Sequence, residues 1–127
     1  MKTDEKSFAR GCEIRGEMFG PASLKRMEEA SAFEQPLQEL VTQVCFGQVW
    51  DRPELPRPVR SMITIAMLVA QSRPNELQRH VRAAIRNGVT VEQIREVLLH
   101  ATLYAGIPAG TDSWAKASEA LQEMGEL

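Results

Sequence analysis

His80 is the residue best suited to move a proton near neutral pH, because imidazole is the side chain whose ordinary pKa lies closest to neutrality. It sits in Glu76-Leu77-Gln78-Arg79-His80-Val81-Arg82-Ala83-Ala84-Ile85-Arg86. Glu76 precedes it by one helical turn, where a carboxylate can orient the imidazole or hold it protonated. Leu77, Val81, Ala84 and Ile85 share or flank its face, so a partly apolar setting is expected. The structural alternative is a core-edge histidine bonded to a carbonyl. Arg60 opens an otherwise apolar stretch, and its planar fork can take both oxygens of a carboxylate; its alternative is a structural ion pair. Arg52 and Arg57 are weaker clamps of the same kind. Glu39 lies beside Leu40 and Val41 and either pairs with Arg60, enters a site, or faces solvent. Trp50 walls a pocket or packs in a core. His100 stands one turn before Tyr104, whose hydroxyl a site can use. The run Arg79, Arg82, Arg86 reads as a solvated or subunit-contacting face.

Other chemistries find less support. Cys12 and Cys45 are the only cysteines and are far apart, so neighbours supply neither a redox dithiol nor a zinc knuckle. They are expected as two reduced, partly buried thiols of a cytoplasmic protein. No metal site is expected. The formal charge of −2, with no basic block, argues against nucleic acid or an anionic membrane as the main partner. The start Met1-Lys2-Thr3-Asp4-Glu5-Lys6 is charged, leads into no apolar run, and is no signal peptide. The longest apolar stretch, Met62 to Ala70, is too short to span a bilayer.

The elements that position these residues read as helices. The chain of 127 residues, 43% hydrophobic and 25% charged, suits one globular domain over residues 1–127. A first helix is expected from Lys6 to Met18, stopping at Gly20. Pro21 opens a second, with Leu24, Met27 and Ala30 repeating every three residues. A third covers Gln35 to Val49, with Leu37, Leu40, Val41, Val44 and Cys45 on one face and Gly47 weakening its end. The prolines at 53, 56 and 58 make the next segment a packed connection. A fourth helix runs from Pro58 to Ser72, apolar nearly all round and so buried on several sides. Asn75 caps a fifth that ends at Asn87-Gly88. Thr90 and Gln93 form a capping box for a sixth, whose apolar face is Ile94, Val97, Leu98, Ala101 and Tyr104. Gly106-Ile107-Pro108 breaks it, and a seventh follows from Thr111 to Met124 with Trp114, Ala117, Leu121 and Met124. No segment alternates as a strand, so the fold class is all-α.

Four strings, taken in order, resemble the carboxymuconolactone decarboxylase family, and most closely its 4-carboxymuconolactone decarboxylase branch. They are Phe46-Gly47-Gln48-Val49-Trp50-Asp51-Arg52-Pro53-Glu54-Leu55; Arg60-Ser61-Met62-Ile63-Thr64-Ile65-Ala66-Met67-Leu68; Glu76-Leu77-Gln78-Arg79-His80 through Asn87-Gly88-Val89-Thr90; and Glu96-Val97-Leu98-Leu99-His100 through Tyr104-Ala105-Gly106-Ile107-Pro108-Ala109. The resemblance covers about residues 33–114. It implies an alkylhydroperoxidase D-like helical bundle of six to seven helices, assembled as a ring-like homo-oligomer, a trimer or hexamer. It implies a cofactor-free enzyme of the β-ketoadipate route of aromatic catabolism, binding a small anionic lactone. Placing His80 on the histidine of the alkylhydroperoxidase D branch puts Arg73 and Glu76 where that branch has its two cysteines, so the thiol relay is absent.

Under this resemblance His80 delivers the proton or meets the oxyanion, with Glu76 and Arg60 beside it. Arg52, Trp50, Glu39, Tyr104 and His100 are candidate substrate contacts. Two departures bear on the substrate. Glu54 stands where glycine usually follows Arg-Pro, and Ala109-Gly110-Thr111 replaces Ala-Ala-Asn. They keep two alternatives open: a same-scaffold lactone isomerase or hydrolase-like enzyme for another small acid, and a non-enzymatic oligomeric binding module.

Overall fold

The computed structural model describes residues 4–127, so Met1–Thr3 of the charged N-terminal stretch lie outside the described residues. The chain divides into two compact units, one ending at Pro56 and one spanning Arg57–Leu127. Among the described residues every regular element is helical, which makes the protein all-α as expected.

In the first unit, α1 (Glu5–Phe19) begins where Asp4 accepts a hydrogen bond from the Ser7 N–H at 2.6 Å. It stops at Gly20, whose φ of 85° suits glycine alone. α2 (Pro21–Glu28) opens on Pro21 and ends before Ala30, so Ala30 drops out of the expected repeat and Met27 carries the burial. The third segment runs over the expected residues in two forms. α3 (Gln35–Leu40) passes into a π-helix (Val41–Val49), which the Trp50 N–H closes on the Cys45 carbonyl at 2.9 Å.

Bonds five residues apart turn a different set of side chains inward. Thr42, Phe46 and Gly47 are buried, while Leu37 and Leu40 are exposed. The face expected at α-helical spacing is therefore corrected. Gly47 does not weaken a helix end; it permits contact. A Cβ on Gly47 would lie 2.0 Å from the Ser7 carbonyl oxygen, and one on Gly11 would lie 1.8 Å from that of Thr42. Arg15 is buried in the seam, donating to Gln38 and Thr42 at 3.0 Å each, with its guanidinium 5.7 Å from the Phe46 ring centroid.

The second unit contains α4 (Arg57–Ala70), α5 (Pro74–Arg86), α6 (Val91–Ala105) and α7 (Ile107–Glu123). Ile65, Val69, Leu77, Val81, Ala84, Ile94, Leu98, Ala117 and Leu121 form its core. Asn75 is not the cap of α5. Arg73 holds that position and Pro74 is the first helical residue, where a fixed φ is already helical. The capping box of Thr90 and Gln93 forms as expected. Gly106 breaks the chain at φ 110°, but α7 starts at once on Ile107 with Pro108 in its first turn, earlier than the expected Thr111. α4 is less enclosed than its composition suggested. Ser61, Ile65 and Val69 are buried, whereas Ile63 and Met67 are exposed. Tyr104, expected on the apolar face of α6, is 83% exposed. No described helix is long and apolar enough to cross a membrane.

Candidate functional site

α4 and α5 form an antiparallel hairpin with a polar tie at each end. The Arg73 N–H meets the Leu68 carbonyl at 3.0 Å near the turn, and the Asn87 amide donates to the buried Ser61 hydroxyl at 3.0 Å at the open end. This register sets Arg60 level with Asn87. His80 lies seven residues back along α5, about 10 Å at the helical rise. Arg60 and His80 thus sit at two levels of one hairpin.

The flank of α5 that carries Asn87 also carries His80, two turns away, and faces α4. The opposite flank is held to α7 by the Arg82–Glu123 ion pair at 2.6 Å. His80 is largely enclosed, with Nδ1 sealed from solvent. Burial pushes its pKa below the ordinary 6.5; the charge of Glu76 opposes this and that of Arg79 adds to it. The imidazole is therefore neutral at pH 7, and the expectation that Glu76 holds it protonated is corrected: desolvation outweighs the carboxylate. A neutral imidazole still offers an N–H to a developing oxyanion.

Glu76 is engaged elsewhere. Its two carboxylate oxygens lie 3.2 and 3.5 Å from Nη1 of Arg79, both side chains being 42% exposed. Arg79 is thus a neighbour of the site, beyond the solvated or subunit-contacting face expected of it. Its three-residue spacing from Glu76 was the available signal. Ser61 and Asn87 left no signal in the sequence, since only the packed hairpin makes them partners.

The remaining candidates fall into two further places. His100 and Tyr104 stack on α6 with ring centroids 4.9 Å apart and an interplanar angle of 27°. His100 ends an open groove of about 520 Å³ between α4 and α6, floored by Met62, Ala66 and Val97 and rimmed by Glu92 and Glu96. Trp50, Arg52 and Glu39 belong to the first unit. Trp50 is buried against Phe46 at 6.1 Å, Arg52 lies 3.9 Å from Glu54 in the exposed loop, and Glu39 is exposed on α3. Gly110 is buried in α7 against Thr102, where a Cβ would lie 2.4 Å from the hydroxyl. This departure is accounted for by helix packing. Cys12 and Cys45 are free thiols whose pKa values burial raises, the opposite of activation. Among the described residues no group of three His, Cys, Asp or Glu side chains is placed to hold a metal.

Residues 35–119 match the model of the carboxymuconolactone decarboxylase family. The chain is 40% identical to the 4-carboxymuconolactone decarboxylase of Acinetobacter baylyi over 123 residues, covering 96% of this chain and 92% of that one. It is 36% identical to the nitrosuccinic acid decarboxylase of Metarhizium robertsii over 118 residues, covering 92% and 82%.

Proposed function

The chain belongs to the carboxymuconolactone decarboxylase family, and from that premise we propose that it converts 4-carboxymuconolactone to 3-oxoadipate enol-lactone without a cofactor. It is a carboxy-lyase, as are both relatives by name, which sets aside a purely non-enzymatic role. The observation that carries the substrate assignment is the 40% identity over nearly the whole chain.

The chemistry asks little of the protein. Loss of carbon dioxide leaves an electron pair at the γ-carbon of the lactone. The ring double bond passes it to the lactone carbonyl as a dienolate, and protonation at the α-carbon completes the reaction. The substrate is its own electron sink, the part that a cofactor plays in other decarboxylations. The protein must hold an anion, stabilise the dienolate oxygen and deliver one proton. In this proposal Arg60 holds a carboxylate at the open end of the hairpin. The neutral, enclosed His80 N–H meets the dienolate oxygen, with Glu76 on the next turn to favour the imidazolium when a proton must be donated. Arg52, Trp50, Glu39, Tyr104 and His100 stay substrate-contact candidates.

We assign the whole chain to one domain, because the family match at 35–119 runs through the boundary at Pro56. We further propose a cytoplasmic homo-oligomer, trimeric or hexameric, in aromatic catabolism. Exposed Ile63, Met67, Leu99, Leu103 and Ile107 give it apolar surface to cover. The test is direct: purified protein with 4-carboxymuconolactone, following carbon dioxide release and the enol-lactone. Folded protein with no turnover above background refutes the substrate.

The similarity to a nitrosuccinic acid decarboxylase favours a second reading, decarboxylation of another small acid on the same scaffold. Turnover of nitrosuccinate in preference to the lactone selects it.

A further inference from the structure

A second cavity, of about 170 Å³, lies between α6 and α7, and its described lining comes from these two helices and Leu127. The buried side chains of Ile94, Leu98 and Leu121 line it, together with the indole of Trp114. The end of α7 completes it. Gly125 takes φ 74°, its N–H donates to the Gln122 carbonyl at 3.0 Å, and the Glu126 N–H donates to the Leu121 carbonyl at 2.9 Å. This reversal brings Leu127 back to the cavity. We propose that the cavity is a binding site for a small aromatic carboxylate, its single ring held among these side chains and its charge on Arg95. The site goes beyond the decarboxylase reading and does not rest on it.

Size and lining select the ring. An apolar cavity of roughly 150 Å³ holds a benzene molecule, so about 170 Å³ takes one aromatic ring and leaves its substituent at the mouth. A ring placed there gains both burial and dispersion contacts. The Trp114 indole is held in place by its Nε1–H, which donates to the Thr102 hydroxyl at 3.3 Å. An aromatic side chain fixed in this way favours a flat ring through offset or edge-on contact. A sugar fits poorly, because its hydroxyls would be buried against Ile94, Leu98 and Leu121 without partners.

Arg95 selects the charge. Among the described residues lining the cavity it is the one charged side chain. It is exposed, which suits an arginine whose apolar stem lies on the lining while its guanidinium stays in water at the mouth. Glu92 and Glu96, three residues before it and one after, border the groove on the α4 flank instead. Arg95 has no hydrogen bond or ion pair with any described residue. Its planar fork therefore has donors for both oxygens of a carboxylate, whereas a ligand cation would be repelled. Ser118 adds a hydroxyl to the lining from α7.

The experiment is an NMR titration of the full chain with benzoate as the probe. Trp50 and Trp114 are the only tryptophans, so Trp50→Phe assigns the Trp114 indole N–H signal. Benzoate should shift that signal saturably. Acetate at the same concentrations should leave it in place, because it has no ring to bury. Arg95→Gln should weaken benzoate about tenfold and leave the binding of benzamide, its neutral analogue, unchanged. Arg95 is exposed, so this variant keeps the fold, which circular dichroism checks. A silent Trp114 signal, an equal response to acetate, or equal losses for benzoate and benzamide in Arg95→Gln overturn the proposal. Benzoate shifts confined to the imidazoles of His80 and His100 place the probe elsewhere and overturn it as well. None of these outcomes bears on turnover of the lactone, so the two readings fail separately.

Discussion

Gly110→Ala should destabilise this protein although alanine is the better helix former, and Thr102→Ala should relieve part of the effect. Gly110 is buried inside α7, where exchange for alanine would ordinarily stabilise the helix by about 1 kcal/mol. Here the new Cβ would lie 2.4 Å from the Thr102 hydroxyl oxygen, 2.5 Å from its methyl and 2.8 Å from its Cβ. Thr102 cannot simply rotate away, because its hydroxyl donates to the Leu98 carbonyl at 2.6 Å and accepts from the Trp114 indole at 3.3 Å. Overpacking of this kind costs about 1–3 kcal/mol. With the clash against so anchored a side chain set near the top of that range, the net loss is about 1–2 kcal/mol. Thr102→Ala alone should cost about 1 kcal/mol, mainly for the hydrogen bonds. The double variant loses those bonds but has no hydroxyl or methyl to collide with, and only the Cβ of residue 102, 2.8 Å away, still crowds the new Cβ. The two changes should therefore be coupled by at least about 1 kcal/mol in the stabilising direction. Urea unfolding followed by circular dichroism at 222 nm measures all four corners. Gly110→Ala as stable as wild type, or strictly additive changes, would show that the close approach of α6 and α7 is not what requires glycine.

Three further outcomes are expected. His80→Ala should lower turnover by about 10²–10⁴, the range for a lost acid–base group, with the helical circular dichroism unchanged; near-normal turnover removes His80 from the mechanism. Because burial lowers the His80 pKa below the 6.5 of the unfolded chain, the unfolded state binds more protons in the interval between the two values. The His80 contribution to stability is then full above pH 6.5 and is lost as pH falls through 6.5 toward the folded value, so a Tm–pH slope that persists in His80→Asn contradicts this origin. Gly47→Ala places a Cβ 2.0 Å from a backbone oxygen, which no rotamer change can relieve. It should cost about 3 kcal/mol or more, and wild-type urea stability in this variant would rule out the close contact of α1 with the π-helix.

The helices and most of their ends were legible because local chemistry sets them. Glycines 20, 88 and 106 take φ values from 85° to 110° that other residues avoid. Thr90 and Gln93 satisfy the first N–H groups of α6 by themselves. Pro21 and Pro74 both open helices, but only Pro21 was seen to do so, because Asn75 offered a competing cap. The inward face of residues 41–49 was not legible: spacing arguments assume α-helical bonding, and the π-helix that buries Thr42 and Phe46 forms where two backbones meet at Gly11 and Gly47. In the site, spacing alone placed Glu76 beside His80 and His100 beside Tyr104. It did not show that Glu76 is engaged by Arg79, that the imidazole is neutral, or that Ser61 and Asn87 tie the hairpin.

By itself the sequence determined an all-helical protein, its family, and a histidine with a carboxylate one turn away, because propensity, capping and motif order act along the chain. Tertiary structure decided the charge state of that histidine, the level at which Arg60 stands relative to it, and which glycines are contacts. Desolvation, hairpin register and interhelical distance depend on groups that only folding brings together.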